Sequence, residues 1–167
     1  MTVEKTKASR SVFAQIADVA LIVAGAALIG MAAIEGWQVF ARYVLNDSPS
    51  WTEPVALLLM STTMMLGAAV GVHREAHFGF YILVESASPK VQALLRFVGR
   101  VVVASIGALL AVYGANLAFD AWSYPMAGVP LPQGTVFLPA CLGGILIAVF
   151  AIERMVRPAT PASASGE

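Results

Sequence analysis

Residues 35–77, EGWQVFARYVLNDSPSWTEPVALLLMSTTMMLGAAVGVHREAH, decide how the chain is built. The stretch holds the end of one apolar segment, a short polar turn, a second apolar segment and a charged exit. Almost no polar residue lies between Pro54 and Val72. A soluble helix of that length needs a polar face toward water, and this one has none. About 20 apolar residues cross a hydrocarbon core of about 30 Å, so the run is long enough to span a membrane. It is predicted to be one arm of a transmembrane hairpin.

The whole chain agrees. Its 167 residues allow a single domain, of which 59% are apolar and 12% charged, against about 25% charged in soluble domains. The mean hydropathy is +0.79. Ten Lys and Arg balance ten Asp and Glu, so net charge points to no partner and implies no nucleic acid. The single cysteine, Cys141, lies in an apolar run, which excludes an internal disulfide and reads as a small buried hydrophobe.

Around the hairpin, four spans are expected at about residues 13–40, 51–72, 94–120 and 135–155. The fold class is an all-α membrane protein, with a membrane domain over residues 13–157. Residues 1–12 are polar and basic. The apolar run that follows them is far longer than the 7–15 residues of a signal peptide core, so it is expected to be an uncleaved first span. Asp18 and Glu35 stand near its two ends, where charge is far cheaper than at the bilayer centre. Trp37, Phe40 and Tyr43 follow Glu35 as an aromatic belt would. Gly25, Ala26, Ala27 and Gly30 allow close helix approach.

The turn Asn46-Asp47-Ser48-Pro49 ends that helix. Ser50 or Thr52 is expected to cap the second, with Pro54 in its first turn, where a missing N–H costs nothing. Gly67 and Gly71 form a GxxxG pair. Residues 73–100 mix charge with the short apolar run 78–84, which reads as an amphipathic segment lying in the membrane interface between spans two and three. Ser88-Pro89 opens a long third helix with a basic start at Lys90, Arg96 and Arg100. Its small residues Gly107, Ala111 and Ala115 suggest a packing face. Residues 123–134 form a loop without Lys or Arg, and residues 158–167 are expected to be a disordered tail.

Basic residues set the orientation. With the N-terminus inside, Lys5, Lys7, Arg10, Arg74, Lys90, Arg96, Arg100, Arg154 and Arg157 all fall on the cytoplasmic side, and Arg42 alone falls outside. Both termini are therefore expected in the cytoplasm.

Chemistry is sparse. No Asp, Glu, Lys, Arg or His lies near the middle of any span, although a transport core usually carries ionisable groups or broken helices there. His73 and His77 are spaced i, i+4, but a zinc HExxH motif needs Glu at position 74, where Arg stands, and Glu75 is one place off. Interfacial hydrogen bonding is the default role for these histidines. No GxSxG elbow or phosphate-binding Gly loop is present. Arg42 and Glu53 flank the turn and read either as an exposed ion pair worth at most about 1 kcal/mol or as groups that face a partner.

The block Arg42, Tyr43, Asn46, Ser48, Trp51, Thr52 and Glu53, then Leu66-Gly67-Ala68-Ala69, Arg74 and His77, with Ser88-Pro89 further on, resembles the small membrane subunit of tripartite ATP-independent periplasmic (TRAP) transporters of bacteria and archaea. The resemblance covers about residues 13–155. The chain departs from it at Pro54, where that family usually has a second Glu. The resemblance implies a four-span, non-enzymatic subunit of the inner membrane. In such systems a soluble periplasmic protein captures an organic acid (a dicarboxylate, keto acid, sugar acid or similar) and delivers it. A large membrane subunit carries the substrate and sodium sites, and the small subunit anchors and scaffolds the large one. By this resemblance Arg42, Tyr43, Asn46, Trp51, Glu53, Gly67, Gly71, Arg74 and His77 are structural or interface residues, none catalytic and none holding a cofactor or metal in this chain. The aromatic turn is a possible contact for the periplasmic protein, and lipid surrounds the rest. Two other readings stay open. One is a homodimeric four-span multidrug exporter, which needs a membrane-embedded Glu in the first span, whereas Glu35 sits near an end. The other is an intramembrane metal protein or enzyme built on His73, Glu75 and His77.

Overall fold

The computed structural model describes residues 12–74 and 88–156. Within them lie four long helices: α1 (Val12–Tyr43), α2 (Thr52–His73), α3 (Pro89–Asp120) and α4 (Leu138–Val156). A 3-10 turn, Gln133–Phe137, leads directly into α4. All four are long and apolar enough to cross a membrane. The expected interfacial segment, the first eleven residues and the tail from Arg157 lie outside the described residues.

Local chemistry sets the helix ends. Asn46, with φ of 52°, takes the left-handed conformation that Asn tolerates better than most residues, and it reverses the chain after α1. The second helix starts differently from the sequence expectation. Neither Ser50 nor Thr52 caps it: Trp51 occupies the N-cap position and no side chain bonds the free amides there. Thr52, fully buried, instead donates its hydroxyl to the carbonyl of Pro49 at 2.9 Å and so closes the turn from below. Ser88 and Pro89 do open α3, Pro89 in its first turn, although the Ser88 side chain makes no capping bond.

The helices stand in the spatial order α1, α2, α4, α3. Packing joins α1 to α2, α2 to α4, and α4 to α3. The first and third helices therefore form the two flanks of an open row. Along α1, Ala17, Ala20, Ala24 and Ala27 are buried at alternating steps of three and four, the pattern of a helix seam. The hydroxyl of Thr63 crosses to the carbonyl of Ala24 at 3.2 Å, and Leu59 covers Gly30. Gly25 and Ala26 face outward, and a Cβ at Gly25 would meet nothing within 4 Å.

The α3–α4 contact is backbone on backbone. A Cβ at Gly107 would lie 2.7 Å from the Ala148 nitrogen, and one at Gly114 would lie 2.8 Å from the Cys141 nitrogen. A Cβ at Gly144 would lie 2.5 Å from the Ala111 nitrogen. The packing face of α3 thus runs through Gly107, Ala111, Gly114 and Ala118, and Ala115 is exposed. Three residues advance a helix by about 300° and four by about 400°, so a strict four-residue repeat drifts off a straight seam that alternating steps follow. Across the middle of the row, Met65 of α2 rests on Gly143 of α4.

These contacts fix the register. Opposite Arg74 and Asp18 stand Glu153 and, on α3, about residue 100. At the other end Glu35, Glu53 and Asp120 share a level with the 3-10 turn. The charged residues therefore form two tiers. Helix rise puts Asp18 and Glu35 about 26 Å apart, and Arg100 and Asp120 about 30 Å apart. That spacing matches the hydrocarbon thickness of a bilayer. We call the tier with Arg74, Arg100 and Arg154 the basic end, and the other the loop end.

Candidate functional site: two polar tiers on an apolar row

Between the tiers the described helices carry no Asp, Glu, Lys, Arg or His. Two hydroxyls there are satisfied within their own helix, Thr62 donating to Leu58 O at 2.8 Å and Ser105 to Val101 O at 2.9 Å, while that of Thr63 reaches across to α1. No buried side-chain polar atom among the described residues lacks a partner.

The basic end is a joint. His73, the last residue of α2, donates from Nδ1 to Glu153 Oε2 of α4 at 3.0 Å, with both side chains largely buried. Its ring lies 4.8 Å from that of Phe150. Arg154 donates from Nε to the His73 carbonyl at 2.7 Å and also from Nη2. It thereby occupies a carbonyl that the end of α2 leaves without an intrahelical partner. On the other side Arg74 pairs with Asp18 of α1 at 3.5 Å, in a more exposed setting. Beneath these groups Ala17, Ala69, Val72, Ile147, Phe150 and Ala151 form the core cluster. The C-terminus of α2 is thus pinned to both of its neighbours. Hydrogen bonding, expected for His73, is what it does.

The loop end is a platform. Tyr124 O accepts from Gln133 N at 2.8 Å, Leu131 O accepts from Met126 N at 2.9 Å, and Ala121 O accepts from Gly134 N at 3.1 Å. These bonds fold residues 121–137 into a tight cap with Met126 buried beneath it. Gly128, with φ of 77°, lies against the backbone of Ser50, where any Cβ would collide. The two loop-end connections therefore interlock. Trp51, Trp122, Tyr124 and Leu131 remain exposed on them, and the rings of Trp37 and Phe40 lie tilted to one another, 5.8 Å apart, along α1.

Of the residues singled out in the sequence, Arg42, Tyr43, Asn46, Trp51 and Glu53 all reach the loop-end surface exposed. Arg42 and Glu53 do not pair, because α1 runs on past the start of α2. The register puts Glu53 level with about Glu35 and leaves Arg42 about 10 Å further along the axis. Neither forms a hydrogen bond or ion pair among the described residues. Glu53 sits in the first turn of α2, where the helix dipole favours a carboxylate. Gly71 is buried in α2, and a Cβ at Gly67 would meet nothing within 4 Å, so the pair does not act as one contact inside the chain. His77 and Glu75 lie outside the described residues. Sequence reading did not join His73 to Glu153 or Arg74 to Asp18, since nothing local ties residues 80 and 56 positions apart. The one signal for such pairing is that all four charges stand at span ends on the same predicted side.

Among the described residues no group of three His, Cys, Asp or Glu is placed to hold a metal ion. The arrangement is built for contact. The family described as "Tripartite ATP-independent periplasmic transporters, DctQ component" matches residues 31–160. A protein of Haemophilus influenzae assigned as a TRAP transporter small permease is 28% identical over 119 residues, 71% of this chain and 73% of its own. The sialic acid TRAP transporter small permease protein SiaQ of Vibrio cholerae is 28% identical over 105 residues, 62% of this chain and 59% of its own. The multidrug exporter reading gives way to this assignment. With four apolar spans and a match over most of its length, this chain belongs to the DctQ family, the small permease components of TRAP transporters.

Proposed function

We propose that this chain scaffolds and anchors the large TRAP membrane subunit during sodium-coupled uptake of an organic acid, which a soluble periplasmic binding protein delivers. It lies in the cytoplasmic membrane with its basic end and both termini in the cytoplasm and its loop end in the periplasm. The large subunit carries the substrate and sodium sites. Family membership implies association with that large subunit. The observation that carries the scaffold role is the open row. At most 33% of any span's apolar window is buried within the chain, and each flank helix packs on a single neighbour among the described helices. A row of this kind presents two wide apolar faces and no charged group between its tiers, which suits a subunit that supports rather than conducts.

The interlocked loop end holds Trp51, Trp122 and Tyr124 in fixed positions on the periplasmic side, a rigid platform for the binding protein. Replacement of Trp51 by Ala is expected to lower transport while the membrane complex stays assembled. The primary test is affinity capture of this chain from mildly solubilised native membranes. Recovery of a much larger multi-span protein in near-equal amount is expected. Recovery of the chain alone or as a homodimer would overturn the scaffold role.

A further inference from the structure

The start of α3 protrudes. Its register against α4 places Val156, the last described residue of α4, opposite about residue 98, so the first two turns of α3 pass beyond the described end of α4. Val91 lies about 14 Å along the axis past Arg100, and Leu94 and Leu95 about 8–9 Å past it. The headgroup layer outside the hydrocarbon is only about 5–8 Å deep on each side. These side chains therefore stand beyond the lipid, yet they are not polar. Val91, Leu94, Leu95, Val98, Val101 and Val102 are each 40% to 61% exposed. Their spacing is i, i+3, i+4, i+7, i+10 and i+11, the repeat of a helix-packing seam. Lys90 is exposed beside it and makes no hydrogen bond or ion pair among the described residues.

Hydrocarbon covers the lower part of such a stripe and water would strand the upper part. A heptad-spaced seam standing past the bilayer calls for a second helix. The helices of this chain do not supply it among the described residues, because α3 is a flank of the row and its packed face, through Gly107 and Gly114, is turned to α4. Family membership supplies a membrane partner. We infer that this stripe on the protruding start of α3 docks a helix of the large TRAP subunit, at and just beyond the basic boundary of the membrane. The inference rests on the scaffold role proposed above and adds where contact is made. The partner's surface is an apolar helix seam with an acidic neighbour that meets Lys90.

The test uses the assembled complex in cells. A photo-crosslinking side chain is placed at Leu94 or Val98 on the stripe, or at Arg96, which faces away at about 100° of helix turn per residue. The expected result is at least tenfold more adduct with the large subunit from positions 94 and 98 than from 96. Adducts only with lipid, adducts with a second copy of this chain, or equal yields from both faces would each overturn the inference. As a second measurement, Leu94→Gln combined with Val98→Gln is expected to lower recovery of the large subunit several-fold, with the variant still inserted in the membrane. Unchanged recovery would count against the stripe. Copurification of the unaltered subunits is read separately. If it persists while the crosslinks fail, the scaffold role stands and the docking stripe does not.

Discussion

His73 and Glu153, the last residue of α2 and a residue in the last turn of α4, meet at 3.0 Å with both side chains largely buried. They tie the first helical hairpin to the second, together with the bond from Arg154 to the His73 carbonyl. Removing either partner leaves the other buried and unsatisfied, which costs about 1–3 kcal/mol. His73→Ala and Glu153→Ala are each expected to lower the thermal unfolding midpoint of the detergent-purified protein. The double variant should lose less than the sum of the two. Strict additivity in that cycle would show that the pair is not coupled.

Backbone contact between α3 and α4 makes a second expectation sharp. Gly114→Val puts a branched side chain where even a Cβ would lie 2.8 Å from the Cys141 nitrogen. Overpacking of this kind costs about 1–3 kcal/mol. By contrast Gly25→Ala and Gly36→Ala meet open space within the chain and should stabilise the isolated subunit by up to about 1 kcal/mol through helix propensity. Side-by-side melting curves of the purified subunit check both signs.

Arg42 and Arg74 separate two roles that look alike in the sequence. Arg74 has a partner in Asp18, whereas Arg42 stands exposed and unpaired among the described residues. Arg42→Ala is expected to change the stability of the isolated subunit by less than about 0.5 kcal/mol. Arg74→Ala should cost up to about 1 kcal/mol. Any transport defect of Arg42→Ala then arises in the complex. A large loss of stability in the isolated variant would place Arg42 inside the fold instead.

Orientation is open to direct labelling. With Cys141 replaced by Ala, a cysteine at Ser123 in the loop-end cap should react in intact cells with a thiol reagent that does not cross membranes. One at Arg96 should react only after the membrane is opened. The reverse pattern would invert the topology assigned from the basic residues.

Much of this architecture is written locally. The polar tiers are visible in the chain because charge is excluded from the hydrocarbon, so Asp18, Glu35, Glu53, Arg74, Asp120 and Glu153 mark span ends wherever the helices stand. Asn46 and Pro89 likewise announce boundaries through their own backbone preferences. The order of the row is not local. Which small residues meet depends on the rotation of each helix: Gly107 and Ala111 were readable as a seam, whereas Gly114, Gly143 and Gly144 take their roles only from the partner they face. Ala115 shows the limit, since its four-residue spacing looks right and its direction is wrong. The interlock of Gly128 with Ser50 is likewise a meeting of two loops far apart in the chain.

The row order also bears on how the protein is made. Its neighbours in sequence, α1 with α2 and α3 with α4, are two complete hairpins, and one helix from each, α2 and α4, forms the join. During synthesis the first hairpin is finished and inserted before the second exists, with the Met65 side of α2 facing lipid until Gly143 arrives to receive it. Each half buries a small-residue seam between its own two helices. The chain is thus a covalent dimer of unlike hairpins.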